Sequence, residues 1–242
     1  MHTKTTAHES YTTAKPAYLK IGVTAVLRRA QIRYSQLMRR YTDWKIGATR
    51  AEKYLYKTSP SIVLSFDDFG STIQVERLLG ILASEKVRGV FFLQGDWTEQ
   101  NPLLASLIRK QGHFIGNHTY SHPDLLNLND DEIRAEIMQG PDSPLMRPPM
   151  GRYDQRVREL SASLGQRIAY WTIDSDDWKG VSTAYMTAKI MRQLHPGAVI
   201  LFHLHVDNTA ELLSQLIPAI RQRGYDLLSF DEPFMETDHV QA

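Results

Sequence analysis

The sequence has 242 residues, 42% of them hydrophobic and 23% charged, which is typical of one folded α/β domain with a shorter addition. It contains no cysteine, which excludes disulfide bonds, thiolate metal ligands and a cysteine nucleophile. The net charge of +1 is unevenly spread, because residues 1–57 hold 12 Lys and Arg against three acidic residues. We therefore expect a basic N-terminal extension over residues 1–57 and a main domain over residues 58–242.

The N-terminal extension combines apolar residues at roughly helical spacing with arginines between them, from Ala17 to about Tyr56. This pattern predicts one or two basic amphipathic helices after a disordered tip. Such a segment could contact an anionic membrane surface or nucleic acid, but a solvated face packed against an acidic domain is the simpler explanation. We expect no nucleic-acid partner.

The apolar runs of the sequence are too short for a transmembrane helix or for the core of a secretory signal. By itself this pattern predicts a cytoplasmic protein without a transmembrane segment. A polymeric substrate would instead favour the cell envelope or secretion, with a start site that omits an export segment.

After Pro60 short apolar runs alternate with helical periods, which predicts a parallel β/α fold. The predicted strands are residues 61–66, 89–93, 113–116, 168–173, 198–202 and 225–228. The predicted helices are residues 72–84, 102–110, 130–138, 156–164, 183–194 and 210–223. This number of strands favours a barrel-like sheet over a small open one.

Acidic and histidine side chains follow the predicted strands at the end where reactive residues gather in parallel β/α folds. They are Asp67 and Asp68 after the first strand, Asn117, His118 and His122 after the third, Asp174, Asp176, Asp177 and Trp178 after the fourth, and His203 and His205 after the fifth. We expect these side chains to converge on one rim of the sheet.

Asp68, His118 and His122 have the residue types of a metal site. Two histidines at i and i+4 lie on one face of a helical turn, and a carboxylate from another strand would complete a three-ligand set with an open position. A pair of histidines at this spacing is often a surface or cap feature, and two aspartates after a strand are often a turn or a helix cap. The combination of the two patterns is what indicates a site. A base must also accept the proton of an activated water, and the adjacent Asp67 is the candidate.

Five short motifs occur in order between residues 60 and 230. They read Ser65-Phe66-Asp67-Asp68, Asn117-His118-Thr119-Tyr120-Ser121-His122-Pro123, Arg147-Pro148-Pro149-Met150-Gly151, Asp174-Ser175-Asp176-Asp177-Trp178-Lys179 and Ile200-Leu201-Phe202-His203. Together they resemble the polysaccharide deacetylases of carbohydrate esterase family four, the NodB-homology domain. The resemblance implies a distorted (β/α) barrel of the NodB-homology type as the catalytic domain, here with a basic helical N-terminal extension.

The resemblance also implies an activity: a metal-dependent hydrolase that removes N-acetyl groups from glycans containing N-acetylglucosamine, such as peptidoglycan or chitin. One divalent ion would be held by Asp68, His118 and His122, with Zn²⁺ expected and Co²⁺ or Ni²⁺ as alternatives. The other implied roles are Asp67 as general base, Arg147 orienting Asp67, His203 as general acid, Asp177 tuning His203, Met150 offering a backbone N–H to the oxyanion, and Trp178 and Leu201 shaping the acetyl pocket.

Simpler explanations remain beside these roles. Arg147 could form a surface ion pair, Asp177 could cap a helix, and Trp178 and Leu201 could belong to the core. His205 could be a second histidine of the site, although a solvated loop position is the simpler expectation.

Three positions depart from the family pattern, which leaves the substrate open. Phe69 is inserted after the two aspartates, Met150 replaces a usual tyrosine, and Leu204 replaces a usual acid. An N-acetylated glycan is the expected partner. The alternatives are an O-acetyl xylan esterase with the same site and a non-catalytic carbohydrate-binding homologue.

Overall fold

A computed structural model describes residues 61–227 of the protein. Within these residues the strands are β1 Ser61–Asp68, β2 Val90–Leu93, β3 Phe114–Asn117, β4 Leu145–Met146, β5 Arg167–Ile168, β6 Ile173–Asp174, β7 Val199–His203 and β8 Asp226–Leu227. The α-helices are α1 Thr72–Ser84, α2 Gly95–Gln100, α3 Pro102–Lys110, α4 Asp130–Gln139, α5 Gln155–Ser163, α6 Thr183–Gln193 and α7 Thr209–Gln222. Short 3₁₀ turns cover Leu125–Asn127, Pro149–Gly151 and Asp177–Lys179.

The strands form one parallel sheet in the order β5-β4-β3-β2-β1-β7-β6, and β8 pairs with the start of β1. Strands β5 and β6 are consecutive in the chain but lie at the two ends of this order. The sheet is therefore a half-barrel with helices, which confirms the predicted distorted (β/α) barrel. All eight residues of β1 are buried, as expected for a central parallel strand covered on both faces.

Local sequence explains why the helices begin and end near the predicted residues. In α1, Ser71 accepts a hydrogen bond from the Gln74 backbone, and the Gln74 side chain accepts one from the Ser71 backbone. The buried residues Val75, Leu78, Leu79 and Leu82 then follow the helical period and face the core. Helix α3 likewise covers the predicted residues, with a proline at its first position.

The predicted strand over residues 168–173 is wrong, because the chain forms two separate short strands there. Between β5 and β6, the carbonyl groups of Ala169 and Tyr170 accept hydrogen bonds from the side chain of Arg147, at 3.1 and 3.4 Å. Two carbonyl groups between β5 and β6 thus bind a side chain instead of pairing with a neighbouring strand, which interrupts the strand.

The expected basic extension lies outside the described residues, so its boundary and structure stay predictions. Among residues 61–227, no helix is both long and apolar enough to cross a membrane.

Gly116 offers a test of how tightly the sheet is packed. A Cβ atom at this position in β3 would collide with the ring of Phe92. We expect Gly116→Ala to lower the free energy of unfolding by about 1–3 kcal/mol, because overpacking displaces the ring or the strand. The measurement is urea unfolding of the purified variant.

The matched control is Gly80→Ala, since Gly80 is an exposed position of α1 with no atom within 4 Å of an added Cβ. That substitution should raise the free energy of unfolding by about 0.4–1 kcal/mol. Equal effects of the two alanines would contradict the packing explanation.

Candidate active site

The carboxyl ends of β1, β3 and β7 meet at one rim of the sheet. Asp67 and Asp68 end β1, His118 follows β3, and His203 ends β7. Strand pairing sets their positions, because Asp67 lies in register with His203 and Asp68 with Leu93. The expected convergence is therefore confirmed for these four side chains. It is wrong for Asn117, which binds the Ile137 carbonyl and Gln166, and for Asp176, which pairs with two lysines.

Asp68, His118 and His122 form the centre of this rim. The Nε2 atoms of both histidines lie 3.2 Å from Oδ1 of Asp68, and the three ligand atoms are all within 4.8 Å of one another. Among residues 61–227 no other group of three such side chains is close enough to hold a metal ion.

The segment between the two histidines is not the helical turn that their spacing predicts. Residues 118–122 form a loop, in which Thr119 and His122 have positive φ angles of 65° and 60°. The loop still brings the two rings together, with centroids 4.9 Å apart. The expected pairing of the histidines is therefore present, but through a different backbone.

The hydrogen bonds of this cluster fit a cation. His118 Nδ1 lies 2.8 Å from the carbonyl oxygen of Arg147, to which it can only donate, so Nε2 of the neutral ring presents a lone pair. Oδ1 of Asp68 is buried and has no hydrogen-bond partner. Acceptor atoms that face one another in this way repel unless a positive charge lies between them.

The pKa values of the cluster agree with this interpretation. Burial raises the pKa of Asp68, but the imidazoles of His118 and His122 lower it by a larger amount. The net pKa of Asp68 is therefore below its usual value. Burial and the neighbouring His118 lower the pKa of His122. The lowered pKa of Asp68 favours a carboxylate, and the lowered pKa of His122 favours the neutral form of that ring, which are the forms that bind metals.

Arg147 forms a buried ion pair with Asp67, not a surface pair. Its side chain has 0% exposure and donates to Oδ1 of Asp67 at 2.6 Å and to the Ser65 hydroxyl at 3.0 Å. The guanidinium also lies 4.0 Å from the ring centroid of Phe92. The bond fixes one oxygen of Asp67, while Oδ2 lies 3.9 Å from Nε2 of His118.

Asp177 holds His203 through both of its carboxylate oxygens. Oδ1 lies 2.7 Å from His203 Nδ1, and Oδ2 accepts from the His203 backbone at 2.7 Å and from Thr209 Oγ1 at 3.1 Å. Burial lowers the pKa of His203, but the hydrogen bond and charge of Asp177 raise it, for a net value of about 9. Asp177 also accepts from the backbone of Trp178 at 2.9 Å, but it is the first residue of its 3₁₀ turn and Asp176 holds the cap position, so the simpler explanation of Asp177 as a helix cap is wrong.

The backbone around the site is locally strained. Among residues 61–227, six non-glycine residues have positive φ angles. Five of them lie in the segments that carry the rim residues, namely Asp68, Thr119, His122, Met150 and Asp176. Such conformations cost about 1 kcal/mol or more each and persist where surrounding contacts hold them, as they often do at functional sites.

The predicted substrate contacts differ in exposure. Met150 is 56% exposed and Trp178 54%, with Lys179 Nζ located 4.8 Å from the centroid of the Trp178 ring. Leu201 is only 3% exposed and pairs with Ser65 and Asp174 in neighbouring strands. The substrate roles of these three residues stay predictions.

His205 and Ser65 are closer to the site than sequence reasoning placed them. His205 follows the end of β7, but its Nδ1 atom is buried 3.4 Å from Oδ2 of Asp68, and its ring stacks on Phe69 at 5.6 Å. Ser65 bridges Arg147 and the Ile200 carbonyl. Strand alternation could have found Ser65, because it shares a face with Asp67, two residues further along β1.

Comparison with known proteins agrees with this geometry. The sequence signature of the family described as polysaccharide deacetylase matches residues 56–169. A peptidoglycan-N-acetylglucosamine deacetylase of Bacillus cereus is 31% identical over 201 residues, which cover 76% of this chain and 73% of the relative. The chain belongs to the polysaccharide deacetylase family.

Two solved structures of this family extend the likeness to the fold. One is a peptidoglycan N-acetylglucosamine deacetylase, 29% identical with a TM-score of 0.69, over 74% of this chain and 89% of the other. The second is a carbohydrate esterase family four pseudoenzyme from Bacillus anthracis, 26% identical with a TM-score of 0.67, over 71% of this chain and 64% of the other. Both likenesses agree with the half-barrel described for this chain.

Loss of any one of the three clustered side chains should weaken metal binding. We expect His118→Ala, and likewise His122→Ala or Asp68→Ala, to lose most bound zinc while the sheet still folds, since a two-ligand site binds poorly. Zinc content after dialysis and circular dichroism measure the two properties. Asp67→Asn is the control and should retain zinc. A ligand variant with wild-type zinc content would contradict this assignment.

Proposed function

We propose that the protein is a metal-dependent deacetylase that removes N-acetyl groups from glycans containing N-acetylglucosamine. One observation carries the proposal: an Asp-His-His cluster lies between two charge pairs, Asp67 with Arg147 and Asp177 with His203. Amide hydrolysis needs a group that accepts a proton and a group that donates one. The two pairs supply those groups on one rim.

Asp67 is suited to act as the general base. Arg147 donates to its Oδ1 atom, which leaves Oδ2, 3.9 Å from Nε2 of His118, as the oxygen that faces the cluster. From there Asp67 takes the proton of the attacking water, whose oxygen adds to the acetyl carbonyl carbon. A divalent cation bound by Asp68, His118 and His122 would polarise that water and carbonyl.

His203 is suited to act as the general acid. Asp177 occupies Nδ1, so Nε2 of the protonated ring is the atom that can donate to the leaving amine. As the carbon–nitrogen bond breaks, that proton makes the amine a neutral leaving group and acetate remains. The backbone N–H of Met150 is the proposed donor to the developing oxyanion.

Peptidoglycan is the substrate class that we favour. The relatives reported above include peptidoglycan N-acetylglucosamine deacetylases, one of them 31% identical to this chain. Met150, three residues after Arg147, and Trp178, next to Asp177, are exposed and offer a glycan chain an accessible surface. Zinc is the proposed metal because two imidazoles and one carboxylate form a donor set that it binds well.

The test is acetate release by the zinc-loaded protein from peptidoglycan, chitin oligomers and acetylxylan. We expect release from peptidoglycan, and Asp67→Asn should lose roughly 10² or more in kcat while retaining zinc and glycan binding. Release from acetylxylan alone would favour the O-acetyl esterase. Glycan binding without any release would favour a non-catalytic homologue, a possibility raised by the likeness to a pseudoenzyme.

The pH profile tests the pairing of Asp177 with His203. The pKa of His203 is raised from 6.5 to about 9, so the ring stays protonated below that pH and loses its proton above it. The alkaline limb of kcat/KM should therefore follow His203. Asp177→Asn removes the negative charge and should move that limb to lower pH by about one unit or more.

Asp176→Asn is the control for this shift. Asp176 binds Lys179 and Lys189, at 2.9 and 2.5 Å, and therefore should not set the His203 pKa. The profile is measured on a soluble N-acetylated oligosaccharide with zinc in excess. An alkaline limb that stays in place in Asp177→Asn, or moves equally in Asp176→Asn, would reject the pairing.

A further inference from the structure

The loop that joins the two histidines of the cluster depends on a carboxylate from a different element. Glu136 lies in α4, 14 positions after His122, and does not belong to any of the five motifs. Its Oε2 atom accepts from the backbone N–H groups of Tyr120 and Ser121, at 3.0 and 2.9 Å. Its Oε1 atom accepts from the Ser121 hydroxyl at 2.7 Å.

The backbone N–H groups of residues 118–122 are all hydrogen-bonded. His118 donates to the Leu93 carbonyl, Thr119 to Oδ1 of Asn117, and His122 to Oγ1 of Thr119. The two N–H groups in the middle of the loop both end at Glu136. The loop also contacts helix α2, whose Gly95 and Asp96 backbone N–H groups donate to the carbonyls of Thr119 and Tyr120 at 2.9 and 3.1 Å. Glu136 is the group that binds the two N–H groups at the centre of the loop, and it attaches them to α4.

The loop needs such an attachment because its backbone is unfavourable on its own. Thr119 and His122 have positive φ angles, and a β-branched residue such as Thr119 rarely adopts one. Without the carboxylate, the Tyr120 and Ser121 N–H groups would compete for other partners, and the loop would relax toward ordinary backbone angles. His122 would then leave the position in which its Nε2 atom faces Asp68.

We infer that Glu136 is a positioning residue for the metal site: it holds the loop 118–122 in the shape that directs both imidazoles at one cation. This role rests on the proposed metal-dependent function. It acts through hydrogen bonds to the backbone, so the reach of the side chain matters more than its negative charge. Outer groups that orient metal ligands typically change metal affinity about 10–100-fold when removed.

Three substitutions of Glu136 separate reach from charge. Glu136→Gln keeps the length: its amide oxygen can accept both N–H groups, and its NH₂ can donate to the Ser121 hydroxyl. Glu136→Asp keeps the charge but is one methylene too short to reach the loop. Glu136→Ala removes both. We expect the Gln variant to bind zinc like the wild type, and the Asp and Ala variants to bind about 10–100-fold more weakly.

The matched control is Glu132→Ala in the same helix. Glu132 forms a capping box with Asn129 at the start of α4, so its loss lowers helix stability by about 1 kcal/mol without touching the loop. This variant should have a lower melting temperature and an unchanged zinc dissociation constant. The control therefore shows how much zinc affinity changes when α4 is destabilised but the contacts of Glu136 with the loop are intact.

The experiment is chelator-competition titration of Zn²⁺ into the metal-free full chain, repeated with Co²⁺, whose visible spectrum reports ligand geometry. Weakened zinc binding and an altered Co²⁺ spectrum in Glu136→Asp and Glu136→Ala, with both restored in Glu136→Gln, support the role. Wild-type affinity in Glu136→Asp, or an equal loss in Glu132→Ala, overturns it. If the wild type itself binds neither ion, the proposed metal site fails as well, which distinguishes the two failures.

Discussion

The arrangement of the rim depends above all on one buried residue, Arg147. Its guanidinium binds Asp67, Ser65 and the carbonyls of Ala169 and Tyr170, while its own carbonyl accepts from His118. Taking a guanidinium out of water costs several kcal/mol, and only a full set of partners offsets that cost. The proposed base and one proposed metal ligand are therefore oriented through the same residue.

Two carboxylates of the site have different partners, because Asp67 contacts an arginine and Asp177 contacts a histidine. This difference provides a proton acceptor and a proton donor on the same rim. One oxygen of Asp67 is hydrogen-bonded to the buried guanidinium of Arg147, and the other remains available as a proton acceptor. Asp177 faces an imidazole and raises the pKa of that ring, so His203 remains a proton donor at neutral pH. Asp68 faces three histidines, His118, His122 and His205, instead of an arginine or a lysine.

Sequence patterns determined much of the fold because they report local physics. The apolar period of α1 and α3, with the capping box of α1 and the first proline of α3, set those helices, and the buried run from Ser61 set β1. The convergence of Asp67, Asp68, His118 and His203 also followed from sequence, since parallel strands bring their carboxyl ends to one edge. The division of residues 168–173 did not, because it depends on a side chain from another segment.

The sequence by itself thus determined the family, the half-barrel and the identity of the clustered residues. Only the tertiary structure decided how they are held: His118 and His122 meet through a loop rather than a helix, and His205 approaches Asp68 from beyond the end of β7. Glu136 shows why the sequence could not decide this. In the sequence it is an acidic residue of a predicted helix with no special signal. Its partners are backbone N–H groups of a loop, and their direction cannot be read from the pattern of side chains.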